Sequence, residues 1–195
     1  ANYQNRVLWL KWIADWSDRF RSETIFSLSN IDDSRVGSVV LPGIIDGQLD
    51  EERRFRSLGL KQDWTFTPSD RWMLMFGFDA KRLDASYRFD SSTAIEAPFD
   101  QILDNAPLVI RSANLAPEGS QFGVHAELRW KLSQQLTLDA GYRRDHQNYR
   151  ADNKDSQSSP RVSILYQFDE ATEFRLGWGQ YSQAQEINEL QVADG

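Results

Sequence analysis

The sequence contains no cysteine, has fewer basic than acidic residues and lacks any long apolar run. Without cysteine, the chain has no disulfide framework, no thiolate metal site and no cysteine nucleophile. It carries 22 Lys and Arg against 29 Asp and Glu, and this net charge of −7 argues against nucleic acid as a partner. Its longest apolar stretch, at residues 39–45, is far shorter than the roughly 20 residues of a transmembrane helix.

Recognisable catalytic and cofactor motifs are also missing. The sequence has neither a G-x-S-x-G nucleophile motif nor a phosphate-binding loop, and Gly177 and Gly179 lack the third glycine of a dinucleotide fingerprint. The two histidines, His125 and His146, show no metal-ligand spacing. Acidic residues cluster at 46–52, where a solvated loop is the simpler interpretation and a cationic ligand the alternative. We therefore expect no enzymatic activity, no metal and no cofactor.

Aromatic residues, by contrast, are abundant: 7 Trp, 6 Tyr and 11 Phe occur in a chain whose mean hydropathy is −0.59. Segregation of apolar and polar side chains onto two faces reconciles these two values. From Gln121 to Leu132 apolar and polar residues alternate without a break. This period of two predicts a β-strand with one polar face.

Similar alternation recurs along the chain, and it predicts an all-β, antiparallel up-and-down meander of about eight long strands. We place these strands in four hairpins, at about 5–30, 54–89, 120–149 and 159–183. Longer connections at about 31–53, 90–119 and 150–158 separate the hairpins. Short turns that alternate with long connections are typical of outer-membrane barrels, in which the long loops are extracellular. Strands of about 9–11 residues suffice to cross a bilayer, so the pattern predicts part of a transmembrane β-barrel.

Charged residues of both signs occupy the polar face of these strands. Exposure to lipid at the membrane centre costs about 2–4 kcal/mol for each Lys or Arg, so this face is expected to line an aqueous lumen. The predicted lumen-facing residues are Arg21, Glu23, Lys61, Asp63, Asp79, Lys81, His125, Glu127, Arg129, Lys131, Asp139, Arg143, Asp145, Arg161, Glu173 and Arg175.

Large rings on the apolar face lie mostly near the short turns, at one shared height. Trp, Tyr and Phe favour the headgroup region of a bilayer, so these rings predict an aromatic girdle in contact with lipid. The predicted girdle comprises Trp12, Phe20, Trp64, Phe66, Trp72, Trp130, Tyr166, Phe168, Phe174 and Trp178.

Several short motifs, in this order, resemble the mid-barrel of TonB-dependent outer-membrane receptors. Ser159-Pro160-Arg161 is similar to that family's SPR-type strand start, and Arg175 to Gly179 fits its R-x-x-x-G strand. A loop that ends in Asn188-Glu189-Leu190 follows. Upstream, residues 141–145 resemble a G-x-R-x-D strand, and Gly77-Phe78-Asp79 resembles a G-x-[DE] strand.

The resemblance implies a barrel of about 22 strands that surrounds an N-terminal plug. It also implies energised import, through the TonB complex, of a scarce ligand such as a siderophore, cobalamin or an oligosaccharide. The expected partners are outer-membrane lipid, the receptor's own plug and its remaining strands, and TonB through the plug, all in a Gram-negative outer membrane. We expect residues 1–195 to form a partial barrel domain, with the plug domain absent. Ligand-binding residues do not follow from these motifs.

Two alternatives remain open from the sequence. A complete small outer-membrane barrel with a structural or adhesion role predicts periplasmic termini and an aromatic last strand. A soluble β-sandwich binding module predicts instead that the even-numbered apolar faces pack against each other in a core.

Overall fold

A computed structural model describes residues 1–98, 100–101, 108–149 and 156–182 as one antiparallel sheet. Its order is β1-β2-β3-β4-β6-β7-β8-β9, and β5 also pairs with β4. The strands are β1 (Asn2–Ser17), β2 (Phe20–Leu41), β3 (Ile45–Ser69), β4 (Trp72–Ile95), β5 (Leu108–Leu115), β6 (Glu118–Lys131), β7 (Leu136–Gln147), β8 (Ser156–Gln167) and β9 (Glu173–Gly179). In the described ranges no helix has the length and apolarity to cross a membrane.

The sheet is a single open layer. Among the described strands, β1 and β9 each have one sheet neighbour, and the main contacts between strands join sheet neighbours. Large even-numbered side chains such as Trp12 and Leu176 are 59% and 74% exposed. The β-sandwich alternative predicted these side chains in a core between two layers, and that prediction is wrong. The predicted antiparallel meander of a barrel wall is confirmed.

The short turns have clear local causes. Asp18 and Arg19 join β1 to β2, and Asp70 and Arg71 join β3 to β4. In the β6–β7 turn, Ser133 Oγ accepts hydrogen bonds from the backbone N–H groups of residues 135 and 136. The β8–β9 turn begins at Asp169, whose carboxylate accepts the N–H of residue 171 at 2.9 Å, and this bond lowers the pKa of that carboxyl. Side-chain acceptors of this kind stabilise tight turns.

The segment at 31–53, predicted as a long connection, is almost entirely strand. β2 continues to Leu41 and β3 begins at Ile45, so only residues 42–44 turn. Gly43 adopts a φ of 75°, which favours glycine, and the N–H of Ile44 donates to the carbonyl of Leu41 at 2.9 Å. The prediction of a loop there is corrected to a hairpin that continues β2 and β3.

The predicted connection at 90–119 is corrected in the same way. β4 runs to Ile95, and β5 returns along its edge over residues 108–115. β5 and β6 are separated only by Ala116 and Pro117, where the proline lacks an N–H for the ladder. The N–H of Ala85 still donates to the carbonyl of Pro117 at 2.9 Å. The described residues therefore form nine strands, where the sequence predicted about eight. In the connection predicted at 150–158, residues 150–155 lie outside the described ranges, and β8 begins at Ser156.

Register keeps the odd-numbered residues of the sheet on one face, apart from irregularities beside the β1–β2 and β3–β4 turns. For example, Glu23 lies opposite Asp63, which lies opposite Gly77, which lies opposite His125. Because directly opposed residues point to the same side, the nine strands share one odd face and one even face.

The polarity of these two faces reverses along the strands. From the short turns up to the row of Leu28 and Leu58, the even face is apolar and the odd face is mostly polar. Beyond the row of Ser57 and Leu83, the odd face gains apolar residues around a charged cluster at Arg35, Glu51 and Arg53, and the even face of β3 and β4 becomes mostly charged or polar. The nine positions from Leu58 to Phe66 extend about 26 Å along the strand. At a tilt of about 35–45° this length spans about 20 Å, most of the roughly 25 Å of a lipid-facing band.

We call residues 31–41, 45–55, 85–95 and 108–115 the upper extension. These parts of β2, β3, β4 and β5 continue the sheet beyond the apolar zone, since β6 and β7 pair only up to Glu118 and Gln147. The reversal of polarity explains why the sequence pattern predicted long connections, not strands, in the upper extension. Period-two alternation continues there, but in the opposite phase.

Candidate functional site

The odd face of the sheet carries all sixteen charged or histidine residues that the sequence places on the lumen side. Register unites them: Lys61 faces Asp79, His125 faces Arg143, and Arg129 faces Asp139. β1 departs from this pattern, since Val7, Trp9 and Ile13 on its odd face are apolar. In the apolar zone the odd face therefore forms one broad polar surface across β2 to β9.

Some of these residues form ion pairs within a strand or between adjacent strands. Lys11 Nζ lies 2.8 Å from a carboxylate oxygen of Glu23, and Lys61 Nζ lies 2.8 Å from Asp63. Arg129 Nε lies 2.7 Å from an oxygen of Asp139. Partly hydrated cross-strand pairs of this kind contribute about 0.2–1 kcal/mol each.

Three further contacts reach over a whole strand. Arg143 on β7 contacts Asp79 on β4, with 2.9 Å between Nη2 and Oδ2, although β6 lies between them. Arg161 on β8 pairs with Glu127 on β6 across β7. His125 Nε2 on β6 lies 3.1 Å from Asp63 Oδ1 on β3, across β4.

A glycine lies beneath each of these three contacts. Gly123 separates Asp79 from Asp145, Gly141 separates Glu127 from Arg161, and Gly77 separates Asp63 from His125. A Cβ added at Gly123 would lie 2.5 Å from Asp79 Oδ2, and one at Gly141 would lie 2.7 Å from Arg161 Nε. The absence of a side chain lets the charged groups meet above the intervening strand.

The sequence patterns did not identify these glycine crossings. The available signal was a glycine on the odd face of a strand, where the neighbouring odd positions are charged. Arg143 also contacts Asp145 at 2.6 Å, so one guanidinium bridges two carboxylates. Within the described ranges, four charged residues of the odd face form no ion pair and are available for other partners: Lys81, Lys131, Glu173 and Arg175.

A second cluster lies in the upper extension, on the same odd face. The side chain of Glu51 is only 7% exposed and pairs with both Arg35 and Arg53, with 2.6 Å to Arg35 Nη2. The Arg53 guanidinium lies 5.2 Å from the centre of the Tyr87 ring, which stacks on Phe89 at 6.3 Å. Cationic and aromatic groups therefore stand side by side around one buried carboxylate.

Two opposing effects determine the pKa of Glu51. Burial raises the pKa, but the hydrogen bonds and positive charges of Arg53 and Arg35 outweigh it and hold the pKa below the ordinary value of 4.5. The carboxylate therefore stays ionised at neutral pH and holds two guanidinium groups in place. The sequence did not predict this cluster, because it lies in the segment expected to be a loop.

Below this cluster, the odd face has a small apolar core at the base of the upper extension. Leu83 is 4% exposed and packs with Tyr149, Phe55 and Ala85. The Tyr149 hydroxyl accepts a hydrogen bond from Gln121 Nε2 at 2.6 Å. This core stabilises the base of the upper extension, where the polarity of the faces reverses.

The predicted aromatic girdle lies on the even face. Its rings pair across strands: Trp72 and Trp130 stack with centroids 4.5 Å apart, and Phe20 meets Phe66 edge to face at 6.3 Å. Tyr166 faces Phe174, Trp178 faces Val162 on β8, and Phe168 follows the end of β8. Ser22, Thr24 and Gln62 are polar exceptions on β2 and β3. Ser22 Oγ accepts a hydrogen bond from Trp16 Nε1 at 2.8 Å, and the Thr24 hydroxyl donates to the amide oxygen of Gln62 opposite it. The even face thus presents apolar groups and satisfied polar groups to its surroundings.

A metal site is not evident in the part of the chain that the structure describes, which contains no group of three His, Asp or Glu suited to hold an ion. His125 lies on the odd face, whereas His146 lies on the even face and contacts Ser156 Oγ through Nδ1 at 3.2 Å. The two histidines therefore lie on opposite faces of the sheet.

Comparison with known proteins agrees with this geometry. The family model described as "TonB dependent receptor-like, beta-barrel" matches residues 1–194. No curated protein matches the sequence. Members of this family are transporters of the Gram-negative outer membrane rather than enzymes. The structure is an open antiparallel sheet with one charged and one apolar face, and the family model matches the chain over nearly its full length. The chain therefore belongs to the TonB-dependent receptor β-barrel family.

Proposed function

We propose that the nine strands form part of the wall of an energised outer-membrane transporter, with the odd face toward the lumen and the even face toward lipid. The observation that carries this proposal is the shared register, which collects the charges on one face and exposed apolar side chains on the other. The short turns then lie on the periplasmic side, and the upper extension projects outside the cell.

Energetics favour this orientation over its reverse. With the faces exchanged, Arg129, Arg143 and Arg161 would enter the hydrocarbon, at about 2–4 kcal/mol for each residue near the membrane centre. Leu and Trp on the even face would meanwhile lose their contact with lipid. The sum of these terms over the strands makes the proposed orientation much more stable.

The lumen side supports a role in transport. Lys81, Lys131, Glu173 and Arg175, which have no ion-pair partner in the described ranges, offer polar contacts to a plug domain in the lumen. At the mouth, the Glu51 cluster presents two guanidinium groups and stacked rings on the odd side. We infer uptake of a scarce ligand of the siderophore, cobalamin or oligosaccharide class, driven through the plug by TonB.

Spin labels on neighbouring positions test the orientation. Because these 195 residues contain no cysteine, Leu60→Cys and Lys61→Cys each add one thiol to them. In the complete encoded protein reconstituted in bilayers, oxygen, which concentrates in lipid, should increase the relaxation rate of a spin label at position 60. A water-soluble nickel complex should instead increase the relaxation rate of a spin label at position 61. Leu128→Cys and Arg129→Cys form a matched second pair, and the opposite pattern at both pairs would refute the proposal.

Transport is tested in cells that express the complete encoded protein. Ferric siderophores, cobalamin and oligosaccharides are offered as labelled ligands, with and without a protonophore that removes the energy for TonB. Uptake that stops with the protonophore supports the proposal. Uptake of none of these classes, or uptake that the protonophore leaves unchanged, would favour the structural or adhesion role instead.

A further inference from the structure

A line of arginines marks the upper border of the apolar even face. The first even-numbered position beyond the apolar residues is Arg6 on β1, Arg56 on β3, Arg82 on β4 and Arg144 on β7. The corresponding residue on β2 is Asn30. Every charged residue at these border positions is therefore an arginine, and all four are exposed.

Arg6, Asn30 and Arg56 form one cross-strand row at this border. Asn30 lies opposite both arginines, and Arg56 Nε donates to its side-chain oxygen at 3.3 Å. Arg6 Nη2 donates to the side-chain oxygen of Gln4 at 3.1 Å. Asp84 is opposite Arg56 in register, yet it forms no ion pair with it in the described part of the chain. Both guanidinium groups thus retain free N–H donors.

This border differs from the odd face in how its charges are balanced. Arg143 and Arg161 on the odd face each contact a carboxylate. At the border, Arg6, Arg56 and Arg144 have no carboxylate within ion-pair distance among the described residues, and Arg82 lies 3.8 Å from exposed Glu118. The even face therefore has unneutralised positive charge where its apolar zone ends.

A groove of about 650 Å³ runs along this border. Its polar side combines the two cations Arg6 and Arg56 with Asn30 and the single carboxylate Asp84. Leu8, Leu28 and Leu58 supply its apolar side. Each leucine is one even position below a residue of the polar row, so the groove joins hydrogen-bond donors to a hydrocarbon-like surface.

We propose that this groove binds an anionic lipid whose headgroup is a phosphate monoester, with the phosphate against Arg6 and Arg56 and an acyl chain along the three leucines. The guanidinium fork matches a phosphate monoester in geometry and charge, whereas the phosphodiester of phosphatidylcholine has its negative charge balanced by choline. A free phosphate would leave the apolar side of the groove empty. The inference rests on the proposed orientation, in which the even face meets lipid.

The test uses the complete encoded protein in nanodiscs of phosphatidylcholine with a minor fraction of phosphatidic acid. Native mass spectrometry then measures which lipid stays bound. The wild type should retain phosphatidic acid in preference, and Arg6→Gln and Arg56→Gln should each reduce that preference about fivefold. Arg88→Gln is the matched control, because Arg88 lies on the even face above the border and pairs with Asp90. This control should retain the full preference.

Substitution by lysine separates geometry from charge. Arg56→Lys keeps the charge but loses the fork, so its preference should lie between those of wild type and Arg56→Gln. Folding of every variant is verified by the change in its electrophoretic mobility in detergent when the sample is heated. A wild type without preference for phosphatidic acid would overturn the inference, as would inorganic phosphate that displaces the lipid. The spin label at position 60 distinguishes the two ways of failing. If the preference for phosphatidic acid is absent but the label contacts lipid, only the lipid-binding inference fails. If the label is exposed to water, the proposed orientation fails as well.

Discussion

Arg143 on β7 contacts Asp79 on β4, with 2.9 Å between Nη2 and Oδ2, although β6 lies between the two strands. Gly123 makes this contact possible, because it leaves the space above β6 open. The same arrangement recurs over Gly77 and Gly141. The odd face therefore connects strands that share no backbone hydrogen bonds, which adds side-chain coupling to the sheet ladder.

Gly123→Ala tests this arrangement directly. The added Cβ would lie 2.5 Å from Asp79 Oδ2 and 2.7 Å from Arg143 Nη2, so the charged groups must separate. We expect a loss of about 1–2 kcal/mol in the free energy of unfolding, measured by denaturant titration in detergent. Gly177→Ala is the control, since its Cβ would lie 3.6 Å from the nearest atom, an ordinary contact. Equal destabilisation by both variants would contradict the role of the crossing.

Glu127 and Arg161 should be energetically coupled although β7 separates them. Single replacements by Gln and a double mutant give a thermodynamic cycle, and we expect a coupling energy of about 0.5–1 kcal/mol from unfolding curves. The cycle of Glu127 with Arg175, which the structure does not pair, serves as the reference. A coupling no larger than that of the reference cycle would show that the contact over Gly141 contributes no stability.

Glu51 should make stability depend on pH in a defined direction. Its pKa is lowered in the folded protein, so its contribution is present above the ordinary value of 4.5 and is lost as the pH falls through the folded pKa. Glu51→Gln should lower the free energy of unfolding by about 1–2 kcal/mol at neutral pH. This difference from wild type should shrink at acidic pH.

Thermal unfolding of both proteins across this pH range measures the effect. Glu52→Gln is the matched control, because Glu52 lies on the opposite face and forms an exposed ion pair with Arg54 at 3.7 Å. The explanation fails if the difference between wild type and Glu51→Gln stays constant down to the lowest pH.

Leu83 should matter more than the exposed leucines of the even face. It is 4% exposed within the small core of the upper extension, and Leu83→Ala should reduce the free energy of unfolding by about 2–3 kcal/mol. Leu58→Ala, at a side chain that is 54% exposed, should cost clearly less. Denaturant titration of the two variants measures the difference, and a larger effect at Leu58 would contradict the assigned core.

The barrel strands were predictable because their alternation has a constant phase. From Gln121 to Leu132 every second residue is apolar, and from Leu58 to Phe66 every second residue except Gln62 is apolar. This suffices to predict strands, faces and hairpins. The upper extension was not predictable in this way, since its apolar residues, such as Phe55 and Leu83, shift to odd positions. A constant-phase pattern therefore ends near Ser57, and the strand beyond it resembles a loop.

The order of residues is enough to show which side chains share a face, because a period of two places alternate side chains on opposite sides of any strand. The charged odd face and the aromatic even face follow in this way. Which charges meet, such as Arg143 with Asp79 and Arg161 with Glu127, depends on the fold. Those contacts depend on strand order, on register and on a glycine in the intervening strand, and the pattern within a single strand specifies none of the three.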